Sequence, residues 1–404
     1  MFNDKCDEKH TTDSIAMSER RSVFILCIGL TLCLSIWRIS QQDTSIQNEY
    51  TSYDPLEVDA NGEGSSNSII ITSGSSNNKN NNNNFKLASS LQPTVLMTPS
   101  PLDQLAKNDA NTLIDLDNFE YSIEKSACDD NDNNNNNNNN NLNSDIESPI
   151  VLILIHSAPG NWQKRNVIRE TWGQNDPRAR RYFLLGAVNS TSLQSQLNQE
   201  NDIFNDIIQS KSFMDTYRNM TYKHIMALKW FVYNCSKLKY LLKTDDDVFV
   251  NMPAIYEYLQ NNGTHQTTNY LFCVKIEGAR VKRSYRSKWR VSTKEFPGWY
   301  YPPYCPGFSI LYSRDVVFRL YREAQQLPYF WIDDVHVTGT LAQHCHLNIT
   351  NVGKYYMNSE KRDSLLNGRM HLNEIEPMFL FTEPDLQEDQ IRQLWTITSE
   401  LNKM

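Results

Sequence analysis

The run IVLILIHSAP, Ile150 to Pro159, constrains this chain more than any other stretch. Its first six residues are all aliphatic, so a strand made from them has no polar face and is stable only with both faces covered. The residues that follow alternate in a way that supplies the cover. RNVIRETWG (Arg165–Gly173) has helical character, YFLLGAV (Tyr182–Val188) is a second buried strand, and NDIIQ (Asn205–Gln209) is a short third. Met220 to Cys235 predicts a helix with Ile225, Leu228, Val232 and Cys235 sharing one face. KYLL (Lys239–Leu242) returns to strand and runs into three adjacent carboxylates, Asp245, Asp246 and Asp247. This order predicts an α/β fold, a mostly parallel sheet with helices on both faces. In such sheets ligands bind outside the carboxyl ends of the strands, where the three aspartates fall. Farther on, SRDVVFRLYREAQQL (Ser313–Leu327) predicts a helix with Ser313 as N-cap and Val316, Val317, Leu320, Tyr321 and Ala324 on one side. The Trp-, Tyr- and Pro-rich stretch before it reads as loops and antiparallel strands around a cleft.

Upstream of Pro149 the texture differs. Residues 38–148 are poor in apolar clusters and rich in Asn and Ser, with Asn80–Asn84 and an unbroken Asn133–Asn141. Such a segment buries too little apolar surface to offset the entropy of ordering, which predicts a disordered stem. Ahead of it, Ser22 to Trp37 form an uncharged stretch of 16 residues between Arg21 and Arg38. As a helix this is about 24 Å long, enough for a thin membrane with snorkelling arginines. Lys5, Lys9, Arg20 and Arg21 precede it, so the positive-inside bias puts the N-terminus in the cytosol and the remainder in the lumen. The expected layout is therefore a cytosolic tail at 1–21, a signal-anchor at 22–37, a stem at 38–148 and one folded domain at 149–404. Sequons at Asn189, Asn219, Asn234, Asn262 and Asn348 agree with a luminal domain as glycosylation sites. Cys235, Cys273, Cys305 and Cys345 are spaced too widely for a zinc ribbon and predict two disulfides in one of three connectivities. Cys128, placed in the stem, is then free or pairs with a second chain to give a homodimer. The net charge of −8 argues against a nucleic-acid partner.

Three side-by-side carboxylates at a strand end repel one another. A solvated turn is one answer, but apolar strands hem this one on both sides. The loop lacks the Gly and terminal Glu of an EF-hand. A hard divalent cation, Mn²⁺ or Mg²⁺, held by one or two carboxylates and completed by substrate phosphates, suits the oxygen ligands better. A second acidic pair, Asp333 and Asp334, lies in YFWIDDVHVTG (Tyr329–Gly339). For that pair the helix dipole alone is an alternative explanation.

LLKTDDDVFVN resembles the metal-binding acidic motif of the β1,3-glycosyltransferases, the family of β1,3-galactosyltransferases and β1,3-N-acetylglucosaminyltransferases. RNVIRETWG, FLLG, NDIIQSKSFMDTYRNMTYKH, YPPYCPGFSILYS and DDVHVTG resemble further family blocks, in family order, over roughly residues 149 to 345. Two departures stand out: Asp333 replaces the usual Glu, and Thr338 takes the place of the usual Gly, with Gly339 one later. A C-terminal His before a Trp, common in relatives, is absent from FLFTEPDLQEDQIRQLW.

The resemblance implies a GT-A, Rossmann-like domain in a type II Golgi membrane protein. It also implies galactose, or alternatively N-acetylglucosamine, transferred from its UDP donor in β1,3 linkage to a glycan on protein or lipid, with inversion. Asp245 and Asp247 would hold the metal and Asp246 would meet ribose or sugar hydroxyls. Asp334, with Asp333 as the substitute, would be the general base. Arg165 and Arg169 either meet the nucleotide or pair with acids. Trp299, Tyr301, Tyr304 and Trp331 either stack on sugar or pack, and Gly307 serves a tight turn near the acceptor. The rival class is a membrane-anchored glycan-binding or chaperone protein without turnover.

Overall fold

Each residue of the Val151–His156 strand is buried, as its lack of a polar face requires. The computed structural model describes residues 101–125, 128, 150–263 and 268–401. Among them the central sheet has eight strands: β1 (Tyr121–Ile123), β2 (Val151–His156), β3 (Ala179–Ala187), β4 (Ile207–Met214), β5 (Tyr240–Asp245), β6 (Leu271–Cys273), β7 (Ser309–Ser313) and β8 (Ile349–Asn351). Their spatial order is β8-β6-β7-β5-β2-β3-β4-β1. Strand β2 pairs parallel with β3 and β5, and β3 parallel with β4. Strand β7 runs antiparallel to β5 and β6, β8 runs parallel to β6, and β1 runs antiparallel to β4.

The chain moves outward from β2 to β3 and β4, then returns to β5 on the other side of β2. The order therefore reverses between β2 and β5, the place where open α/β sheets bind their ligands. Register puts His156 opposite Asp245 at the carboxyl ends of these two strands.

The helices are α1 (Trp162–Glu170), α2 (Thr191–Phe204), α3 (Met220–Asn234), α4 (Met252–Gly263), α5 (Arg314–Ala324), α6 (Ser359–Leu366) and α7 (Glu388–Leu401). Alternate residues of β2 serve opposite cores: Leu152 and Leu154 pack with α3 and α5, while Val151, Ile153 and Ile155 pack with α1 and α4. Each such side chain contributes about 1.5–3 kcal/mol on burial. Helix α5 buries Val316, Val317, Leu320, Tyr321 and Ala324 as the periodicity predicts. Ser313 holds its N-cap position, but its hydroxyl donates to Asp315 Oδ1 at 2.6 Å and accepts from Tyr270 N at 2.9 Å. Helix α3 corrects the single-face expectation. Eleven of its residues are buried, because it lies between the sheet and α5.

The expected stem boundary at 148 is also corrected. Residues 101–128 belong to the compact unit Pro93–Met404. There Leu113, Phe119 and Ile123 are buried, and β1 extends the sheet. Lys229 Nζ of α3 donates to the carbonyls of Asp109 at 2.5 Å and Thr112 at 2.9 Å. The hydroxyls of Tyr233 and Tyr321 donate to Asp109 Oδ2 at 2.7 and 2.5 Å. Leu113 and Phe119 join the core around α3 and α5, and Ile123 joins Leu185, Leu197 and Ile207, burial that composition averaged over 38–148 hides.

Cys128 follows from the same packing. Its N–H donates to Asn234 O at 2.9 Å and its sulfur is bonded to Cys235, so the expected free or dimer-forming Cys128 is corrected to an internal disulfide. Cys273 pairs with Cys305, and Cys345 is a half-buried free thiol. The expected span at 22–37 and both Asn runs lie outside the described residues. Among the described residues no helix is long and apolar enough to cross a membrane.

Candidate functional site: two acidic clusters around Lys243 and Gly307

The three aspartates begin at the end of β5, where Lys243 and Asp245 share a face by strand alternation. Lys243 Nζ, buried, donates to Asp245 Oδ1 at 2.8 Å and to the Gly307 carbonyl. Burial opposes its charge, yet Asp245, Asp333 and Asp334 hold its pKa above the ordinary lysine value. Asp246 turns the other way, toward the loop after β2. Its Oδ2 accepts from Ser157 Oγ at 2.7 Å and Asn161 Nδ2 at 2.9 Å, and Oδ1 lies 3.8 Å from Lys164 Nζ. Asp247 has Lys164 Nζ at 3.8 Å from Oδ2, while its Oδ1 is buried without a partner. Burial first, then the charge of Asp245, pushes its carboxyl up to about 7. Two lysines thus face three carboxylates, and one buried oxygen is left unsatisfied.

That orphaned oxygen is the test of fit for a divalent ion. Among the described residues no three His, Cys, Asp or Glu side chains are gathered as a ready ligand set. The all-oxygen pair Asp245 and Asp247 suits an ion that takes one or two carboxylates and completes its shell with water and substrate phosphates.

Across Lys243 lies the second pair. Asp333 and Asp334 lead into a π-helical stretch, Val335–Leu341, a geometry common at functional sites. The Gly307 N–H donates to Asp334, and a methyl group at Gly307 would overlap the Asp334 carboxylate and crowd Lys243 Nζ. Gly307 lies in a turn, as expected, and is needed there for space rather than for a left-handed backbone. Burial, then the Asp333 charge, raises Asp334 well above the usual carboxylate range.

Asp333 goes the opposite way. Burial opposes its ionisation, but a hydrogen bond from His224 and the charge of Lys243 hold it below that range. His224, buried in α3, has Nδ1 at 3.1 Å from Asp333 Oδ2 and Nε2 at 2.9 Å from the Tyr312 hydroxyl. Burial keeps this histidine neutral and the Tyr312 phenol protonated. The network assigns the tautomer: Tyr312 donates to Nε2, and Nδ1–H donates to Asp333. Thr338 donates to Asp334 O at 2.6 Å and accepts from Cys305 N at 2.8 Å, tying the π-helical stretch to the Gly307 segment. Gly339 sits against Pro302 and Tyr304, where any side chain would press on the Tyr-Pro-Pro-Tyr segment.

Arg165 and Arg169 take the acid-pairing alternative, which corrects their assignment to the nucleotide. Arg165 is fully buried; its Nε and Nη2 donate to Glu200 at 2.8 and 2.6 Å, and its Nη1 to Ser157 Oγ at 3.0 Å and Ala158 O at 2.7 Å. Arg169 bridges Glu200 at 2.6 Å and Asp206 at 2.8 Å. Arg165 fixes the loop that receives Asp246, and Arg169 shares its Glu200 partner. Tyr301 and Trp331 are buried in a small separate core with Val281, Val291, Phe330 and Val335, Tyr304 is half-buried beside it, and Trp299 is 64% exposed.

Of the sequons, Asn189 and Asn348 are exposed. Asn219 donates its amide to Met214 O at 2.9 Å, Asn234 is half-buried beside the disulfide, and the Asn262 side chain lies outside the described residues. A cavity of about 530 Å³ bordered by Trp172, Arg181, Tyr256 and Trp395 touches neither acidic cluster. Lys243, His224 and Lys164 are site residues that motif reading missed. Lys243 had a signal, being a lysine inside a buried strand two residues before an aspartate.

The sheet is parallel across β5-β2-β3-β4 and places acids at its switch point, where open α/β sheets bind their ligands. Residues 163–353 match the family described as Galactosyltransferase. Over 193 residues the chain is 35% identical to β1,3-galactosyltransferase 1 of Mus musculus and of Homo sapiens, covering 47% of this chain and 59% of theirs. It is 33% identical over 195 residues to β1,3-galactosyltransferase 5 of Homo sapiens, covering 47% of this chain and 61% of that protein. The chain thus spans about three fifths of the length of these curated relatives. A solved apo structure of the WbbM bifunctional glycosyltransferase is similar at a TM-score of 0.34 and 10% identity, over 65% of this chain and 52% of that one. Over the stretch matched by the family and the curated relatives, the chain is therefore similar to the β1,3-galactosyltransferases.

Proposed function

We propose that this protein transfers galactose from UDP-galactose to a glycan hydroxyl in β1,3 linkage, with inversion and with help from a divalent ion, as a luminal, membrane-anchored enzyme of the Golgi. The observation that carries the reading is the placement of Asp334 and Asp245 on either side of Lys243, at the switch point of the sheet. Asp245 and Asp247 would hold Mn²⁺ or Mg²⁺, which would supply charge neutralisation for the diphosphate leaving group. Asp334 takes the proton from the acceptor hydroxyl, its basicity raised by burial and by Asp333. His224 keeps Asp333 ionised and in place, so that the negative charge beside Asp334 is fixed rather than mobile. Lys243 limits the repulsion among the acids and holds the Gly307 carbonyl, which keeps the backbone against Asp334. Direct attack on an α-linked donor gives a β-linked product.

The test is a donor screen of the purified full chain, with linkage analysis of the product and titration by EDTA. Transfer of galactose in β1,3 linkage is expected. Rates should fall about a hundredfold or more when the ion is removed and recover with added Mn²⁺. Exclusive use of UDP-N-acetylglucosamine would reassign the donor; metal-independent turnover, or none with any UDP-sugar, would overturn the reading.

A further inference from the structure

The stretch Ala279–Tyr300 carries seven basic residues and a single acid, Glu295, in a chain whose net charge is −8. It folds as one lobe. Arg283 pins it, donating to the carbonyls of Val291 at 2.9 Å, Phe296 at 2.7 Å and Gly298 at 2.6 Å. Val281 and Val291 fill its core together with Tyr301, Trp331 and Val335, the residue next to Asp334. Glu295 is engaged by the Ser292 hydroxyl at 2.7 Å and by Arg218 at 3.5 Å. Arg280, Lys282, Arg286 and Lys294 are exposed, and no acid pairs with them among the described residues. Between these cations stand the most exposed aromatic rings of the domain's described residues: Tyr285 at 86%, Trp299 at 64% and Tyr300 at 61%. Arg290 lies 3.8 Å over the Tyr285 ring.

The lobe is joined to the site by a ribbon. Arg280 bridges Tyr300 and Ile276 bridges Tyr304, and the second strand of the ribbon continues to Gly307, against Asp334. Tyr300 and Gly307 are seven positions apart, at most about 23 Å of extended chain. Exposed rings offer apolar faces to sugar C–H groups, and unpaired guanidinium and ammonium groups take carboxylate or sulfate. We propose that this lobe binds the distal part of the acceptor, and that the acceptor is therefore an anionic oligosaccharide, bearing uronate carboxylates or sulfate esters. The inference rests on the transferase reading and narrows its acceptor. A flat membrane surface or an acidic peptide would satisfy the charge, but neither explains why the lobe is built onto the ribbon that ends at the proposed base.

The experiment is titration calorimetry of the full chain, without donor, against three oligosaccharides of equal length: neutral, uronate-bearing and sulfated. An acidic peptide and vesicles of phosphatidylserine with phosphatidylcholine serve as further arms. Binding of one or both anionic saccharides, weakening as salt rises from 20 to about 500 mM, is expected, and the stronger of the two names the charged group. The variant K282E/R286E/K294E should weaken that binding about tenfold or more, with UDP binding, thermal stability and transfer to neutral acceptors unchanged. Equal binding of neutral and anionic saccharides, indifference of binding to the three substitutions, or tighter binding of the peptide or the vesicles would overturn the proposal. Donor-free binding of the anionic saccharide with no turnover on any acceptor would instead sink the transferase reading and leave the lobe as a saccharide-binding surface.

Discussion

Gly307 and His224 show how single residues set the site. Gly307→Ala places a methyl group against the Asp334 carboxylate and near Lys243, so it should cost transfer at least a hundredfold, with a destabilisation of about 1–3 kcal/mol from overpacking. Steady-state rates and a thermal melt of the same preparation check both halves. His224→Asn keeps a donor toward Asp333, whereas His224→Leu removes it. The leucine variant should lower kcat about tenfold or more and move the basic pKa of its pH profile, with UDP affinity unchanged, and the asparagine variant should recover part of the loss. Unaltered pH profiles in both would make His224 a packing residue. The acidic clusters were legible in the sequence because adjacent carboxylates among apolar strands have few explanations. His224 was not, since a lone histidine on a helix declares no partner, and its link to Asp333 spans 109 positions. Arg165 and Arg169 misled for a related reason: their partners, Glu200 and Asp206, come from elements whose packing no motif records.

Among the elements, the strap of residues 101–128 changes most between sequence and structure. A fragment starting near residue 145 would lack β1, the clamp at Asp109 and the Cys128–Cys235 disulfide, which closes 107 positions of chain. Loss of a disulfide of that span costs about 5 kcal/mol in the chain-entropy model. Fragments beginning at Pro93 should therefore fold and melt cooperatively, while those beginning at 145 should aggregate or melt far lower; equal melting temperatures would show the strap to be dispensable. The parallel strands β2 to β5 were readable because continuous aliphatic runs admit one environment. The strap was not, because its anchors Leu113, Phe119 and Ile123 are isolated in a polar stretch and bury against surfaces formed by elements of the later chain.

At the scale of the whole molecule, three buried histidines, His156, His224 and His336, are all held neutral by burial. His336 is the cleanest case, its pKa lowered to about 4 from 6.5. A depressed folded pKa gives stability that is complete above the unfolded value and lost as pH falls through the window from 6.5 to about 4, where the unfolded chain takes up the proton first. Thermal melts should fall across that window, and His336→Leu should flatten the loss by roughly 3 kcal/mol; an unchanged acid limb would remove His336 from the account. The central claim concerns the two acidic clusters acting together, and it is tested most directly by Asp334→Asn in the full chain, with transfer from UDP-galactose and UDP binding measured side by side. Transfer should fall by about 10²–10⁴-fold while UDP binding in the presence of Mn²⁺ is retained. Retained transfer, or transfer and UDP binding lost together, would contradict the assignment of Asp334 as the base.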